Sequence, residues 1–289
     1  RFFGNERPAV QQQKSERRSG PTGGGNGEVG SKPPLPREGF QIDLRFFDLD
    51  LLPYTSRSYA HYAFQDLIRT AVLTWEQLIV GDLPNVNVPG LGLVDDLVID
   101  VHIRDLSDGL IVAWDVIAER WSSRLPAYAS LTVDLDELTV GFTDDPFNNL
   151  NEDAVLRAIK MFVRNASARI LGYYRLWEIL GLVQPHPSSI SGLGFVGANT
   201  LQSYQRYVAA DFEFNGVPDS VPIDSGTFSP PPEGLLDVMS RSYTLDERRY
   251  GVSEATAQSF VDIGYRVDLA KDQDFSAVST GPINGGSVV

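Results

Sequence analysis

Residues 163–177 read VRNASARILGYYRLW. Val163, Ala166 and Ile170 recur at three- and four-residue spacings, and Val155, Ile159 and Phe162 carry the same stripe toward the N-terminus. That is the period of an amphipathic helix, and 151–172 is predicted to form one. Glu152 and Asp153 fall in its first turn, where carboxylates suit the positive end of the helix dipole. The stripe stops at Gly172, so the helix is expected to end there in a left-handed conformation. Tyr173, Tyr174 and Trp177 follow as an aromatic group, placed either to line a ligand cleft or to pack beneath a groove.

Upstream, FQIDLRFFDLDLL (40–52) puts Phe40, Ile42, Leu44 and Phe46 on one face, a strand pattern. A helix is predicted over 59–79, with Phe64, Leu67, Ile68, Ala71, Val72, Trp75, Leu78 and Ile79 as its stripe and GDLP (81–84) as its stop. DDLVIDVHI (95–103) and ASLTVDLDEL (129–138) read as strands, and LIVAWDVI (110–117) fits strand or helix. Downstream the chain is rich in loop signals (PHPSSISGLG, PDSVPIDSG, SPPPEG) until VSEATAQSFVDIGY (252–265), a helix with Ser253 as cap and Gly264 as stop.

Composition narrows the chemistry. With 289 residues and 42% hydrophobic side chains, a large core is possible, and no apolar run reaches the roughly 20 residues that cross a bilayer. There is no cysteine, which removes disulfides, thiolate metal sites and cysteine nucleophiles. The histidines are His61, His102 and His186, and no two share metal-ligand spacing. Residues 1–38 hold seven Lys/Arg against four Glu, a net of +3 within a chain of net −14, which leaves −17 for the remainder. An acidic body repels nucleic acid and anionic lipid. The first 38 residues, with QQQKSERRSG and PTGGGNG, are expected to be a disordered basic arm, and 271–289 a flexible tail.

No GxSxG elbow or phosphate loop is present, and a Ser–His–Asp triad has no histidine placed for it. Asp48/Asp50 and Asp134/Asp136 are carboxylate pairs of the kind that bind Ca²⁺, serve as acid and base, or mark exposed strand ends. Asn165-Ala166-Ser167 spells a glycosylation sequon inside the predicted helix, where a transferase has poor access.

Taken in order, FQIDLRFFD, WEQLIVGDLP, DDLVID, the 154–172 helix with LGYYRLW, FVGANTLQSYQ (195–205), LLDVMS (235–240) and VSEATAQSFVDIGY resemble the leishmanolysin-like zinc metallopeptidases over about residues 39–270. The family's HExxHxxG helix sets two histidines on one face to hold Zn²⁺, with a glutamate as base for the metal-bound water. A methionine turn lies beneath the site. Laid on that frame, Gly172 matches the glycine and Met239 the methionine turn. Asn165 and Arg169 stand at the two histidine positions, Ala166 at the glutamate, and Phe228 in GTFSP is the nearest equivalent of the third ligand.

The resemblance therefore implies an α+β fold: a zincin-like twisted mixed sheet with two long helices, and a smaller loop-rich C-terminal half. The N-terminal subdomain is expected over 39–183 and the C-terminal one over 184–270. No metal, cofactor or catalytic residue is expected. The expected function is that of a pseudopeptidase, a binding or structural protein for a protein or glycan partner. Tyr173, Tyr174, Trp177 and Arg169 are its candidate binding residues, and Gly172 and Met239 its structural ones. The alternative is a hydrolase with a rearranged site. No nucleic-acid partner and no membrane span are expected, and the basic arm offers a route to oligomers. With no apolar leader at Arg1, the chain is expected to be secreted or lumenal, its targeting segment already removed.

Overall fold

The computed structural model describes residues 39–52, 57–106, 110–136, 138, 149–187, 189, 191–211, 219–224, 227–228, 236–237, 239 and 250–270. The expected arm and tail lie outside the described residues. Gly39–Val289 forms one compact unit.

The fold is α+β. Strand β1 (Ile42–Phe46) leads into helix α1 (Arg57–Leu78) and, after a small hairpin of β2 (Val86–Val88) and β3 (Gly92–Val94), into β4 (Leu97–Arg104). Strands β5 (Val112–Glu119) and β6 (Pro126–Asp134) follow, then the long helix α2 (Asn149–Ile170). The main sheet has the order β1-β4-β6-β5, with β1, β4 and β6 parallel and β5 antiparallel at the edge. The ambiguous 110–117 segment is thus an edge strand.

Alternation along the strands divides the sheet's faces. Ile42, Leu44 and Phe46, then Leu97, Ile99, Val101 and Ile103, then Ala129, Leu131 and Val133 form the apolar face. Against it lie the stripes of α1 (Phe64, Ile68, Ala71, Val72, Trp75) and α2 (Ile159, Val163, Ala166, Ile170). The Trp75 indole N–H donates to the Arg164 carbonyl at 2.9 Å and fastens one helix to the other.

After α2 come α3 (Arg175–Ile179), β7 (Val183–Pro185), β8 (Leu193–Phe195), α4 (Ala198–Asp211), β9 (Val221–Asp224) and β10 (Thr227–Phe228). Strands β7 to β10 form a second, antiparallel sheet of order β10-β9-β8-β7. β11 (Leu236–Asp237) pairs with β12 (Tyr250–Gly251), and α5 (Glu254–Asp262) completes the order. This half is more regular than its loop signals suggest. Its Phe195, Val221, Ile223, Met239, Val252 and Phe260 belong to the same apolar cluster as α1 and α2, so both halves share one core. Asp262 docks α4 on α5: one carboxylate oxygen accepts from Asn199 N at 3.0 Å and the other from Thr200 N at 2.9 Å, capping the first turn of α4. Among the described residues no helix is long and apolar enough to cross a membrane.

Candidate functional site

The α2 helix carries the positions at which the resemblance would seat a metal. Asn165 is 1% exposed, Ala166 4% and Arg169 7%. One turn apart on the same face, Arg169 Nε donates to Asn165 Oδ1 at 3.0 Å. These groups do not fit zinc. An amide whose oxygen already accepts a guanidinium N–H, a methyl group and a permanent cation supply neither imidazole nor carboxylate ligands. Phe228 is described only in its backbone, which pairs with Ile223. The sequon asparagine is buried, so this packing leaves no room for a glycan on it.

Helix α2 ends as its sequence dictates. Gly172 has φ 115°. Gly172 N donates to Arg169 O at 3.1 Å and Tyr173 N to Ala168 O at 3.0 Å, the paired bonds of a Schellman ending. The next reversal is tighter. Tyr174 has φ 65° and ψ −47°, and Arg175 N donates to Tyr173 O at 2.8 Å across it, a γ-turn on a bulky residue. The Tyr265 hydroxyl donates to Leu171 O at 2.9 Å, and full burial pushes its pKa well up, so it stays a donor.

Two of the three residues of the aromatic group are buried. Tyr173 (1% exposed) and Trp177 (0%) lie in the core. Their ring centroids are 4.6 Å apart, Trp177 is 4.6 Å from Phe195, and Tyr173 is 6.1 Å from Phe260. Tyr174 is half-buried against Trp177 at 5.6 Å. Arg169, the other candidate binding residue, is likewise buried. Met239 is 1% exposed in the shared core, and its N–H donates to Asp237 Oδ1 at 2.6 Å.

The sheet's other face carries a polar network that sequence reasoning missed. Arg45 grips Asp100 through Nε (2.6 Å) and Nη2 (2.7 Å), and the Tyr128 hydroxyl donates to Asp100 Oδ2 at 2.7 Å. The hydrogen bond to Asp100 raises the pKa of both Arg45 and Tyr128. Farther along, His102 Nδ1 meets Asp48 Oδ2 at 3.0 Å and its ring stacks on Phe47 at 5.0 Å. Asp48 adopts φ 60° to do so. The carboxylate pairs therefore separate: Asp48 serves His102, Asp50 is exposed, and Asp134 Oδ1 accepts from Leu106 N at 2.7 Å.

Among the described residues, Asp82, Asp95 and Asp96 bring their carboxylates within 4.8 Å of one another. This is a structural junction. Asp96 accepts from Gln41 N at 2.8 Å and Leu83 N at 2.7 Å, and the Arg120 guanidinium occupies the Asp95 and Asp96 carbonyls. Burial outweighs those two N–H donors and pushes the Asp96 carboxyl up to about 6 from 3.8. The folded state thus favours its neutral form. The associated stability is full below about pH 3.8 and is lost as pH rises through about 6. Asp96→Asn stays neutral throughout. Measured by urea unfolding, its stability relative to the parent should rise by about 1–3 kcal/mol between pH 4 and pH 7. A difference that stays flat over that range would refute the assignment.

Compared with known proteins, the chain matches no protein-family model and no curated protein.

Proposed function

We propose that the chain is a pseudopeptidase, a catalytically inactive peptidase homologue on a zincin-like scaffold that works as a binding or structural protein. The observation that carries this reading is the buried Arg169–Asn165 hydrogen bond on the face of α2 where a peptidase would seat its metal and base. Three further features support the reading: Gly172 ends the helix, the Tyr265 hydroxyl donates to the carbonyl of Leu171 just past it, and Met239 is buried in the same core. A protein or glycan partner, in an extracellular or lumenal assembly, is the class this reading assigns. Oligomers through the basic arm belong to it as well. The acidic body disfavours nucleic acid. Incubated with a pool of unstructured peptides at neutral pH, the protein should generate no new amino termini above the buffer level. Cleavage that a chelator abolishes would sink the reading.

A second reading, a hydrolase with a rearranged site, rests on His102. Asp48 orients its ring, as a carboxylate orients the base of a hydrolase, and Thr132 is its register partner on β6. Hydrolysis that His102→Gln removes would favour it.

A further inference from the structure

Trp121 stands at the tip of the β5–β6 connection and is 90% exposed, whereas Trp75 and Trp177 are fully buried. Its turn is held firmly. Arg120 N donates to Leu125 O and Arg124 N to Arg120 O, each at 2.8 Å. Arg124 takes φ 62° and pairs with Glu119 at 3.2 Å. The β2–β3 hairpin presents a second apolar tip, Pro89 to Leu93, on which Leu93 is 73% exposed. A Cβ built on Gly90 or Gly92 would meet nothing within 4 Å beyond its chain neighbours, so this tip projects into open space.

One buried guanidinium joins the Trp121 turn to the base of the β2–β3 hairpin. Arg120 donates to Pro126 O beside the Trp121 turn, and to Pro84 O, Asp95 O and Asp96 O at the base of the hairpin. Leu91 and Ala118 pack on the same small cluster around Val88 and Val94, and Ile117, half-exposed, precedes Ala118 on β5.

Two narrow, rigid tips with apolar ends suit a fluid apolar phase, which needs no matching pocket for each; a protein partner would. The charges around them have both signs. Arg124, paired with Glu119 through Nε but still half-exposed, lies beside Trp121, and the Asp82 and Asp95 carboxylates are exposed at the hairpin base. A phosphocholine headgroup is the complement: its phosphate suits the guanidinium, and its quaternary ammonium suits the carboxylates and the indole face. The chain has no lysine between residues 81 and 128 and is strongly acidic overall, which disfavours anionic lipid. We infer that this end of the molecule docks on phosphatidylcholine membranes by inserting Trp121 and Leu93 at the headgroup–acyl boundary.

The test is flotation of the full chain with phosphatidylcholine vesicles, read together with tryptophan emission. The protein should float with the vesicles and its emission should shift to the blue. Trp121→Ala and Leu93→Ser should each weaken binding by at least about tenfold. Both side chains are exposed, so thermal unfolding should not change. Added phosphatidylserine should weaken binding further at low salt. Absence of flotation at millimolar lipid, or equal binding by Trp121→Ala, would overturn the inference. So would a chain that ignores vesicles yet self-associates through Trp121, since that outcome assigns the tips to protein contact.

Discussion

Replacing Arg120 with methionine is expected to destabilise the protein by about 3–5 kcal/mol in urea unfolding at neutral pH. The side chain is 3% exposed, and burial lowers its pKa while the Asp96, Asp95 and Asp82 charges oppose that shift. Its donors are spent on four backbone carbonyls: Nε on Pro84 O at 2.9 Å, Nη2 on Asp96 O at 2.5 Å, and further bonds to Asp95 and Pro126. Methionine fills much of the volume but leaves those carbonyls without their donor and Asp96 without its neighbouring cation. Lysine keeps the charge but lacks the planar fork, so Arg120→Lys should recover only part of the loss. A loss below about 1 kcal/mol for Arg120→Met would mean that water replaces the guanidinium without cost, and the two hairpins would not be held as described.

Gly172→Val should cost about 3–5 kcal/mol, from two sources that can be separated. At φ 115° a β-branched residue is strained whatever its surroundings. In addition, a Cβ there would lie 2.5 Å from Leu176 Cδ1 and 2.9 Å from its Cγ. Gly172→Ala carries the backbone strain and these Cβ contacts but not the two further methyl groups, and should cost less. In a double-mutant cycle, Leu176→Ala should relieve the contact part but not the backbone part. Full additivity of Gly172→Ala and Leu176→Ala would show that the two residues do not meet, and the tight exit of α2 would be wrong.

The elements that could be read from the chain are those whose burial is periodic over many residues. α1 and α2 each span 22 residues, and β4 and β6 present one apolar face throughout. The small antiparallel sheet escaped because its strands are two to four residues long, too short for an alternation to stand out. Helix α4 escaped for another reason. Its capping carboxylate is Asp262, more than sixty positions downstream, and it buries Thr200 and Ser203 where an apolar stripe would be sought. The 110–117 segment stayed ambiguous because Val112 and Trp114 turn toward the core while Ile117, nearly as apolar, faces solvent. At the site, Asn165, Ala166 and Arg169 were singled out only through the family resemblance. The contact between Arg169 and Asn165, and the burial of Tyr173 and Trp177, depend on how the chain reverses after Gly172, which only three-dimensional packing decides.

Under the proposed function, the buried Arg169–Asn165 pair of α2 stands where a peptidase would hold its metal. Zinc content measures this directly. After incubation with excess Zn²⁺ and gel filtration, inductively coupled plasma mass spectrometry of the native protein should find far less than one zinc per chain, with no difference between the parent and Asn165→Ala. One zinc per chain that is lost on replacing Asn165 or Arg169 would contradict the account.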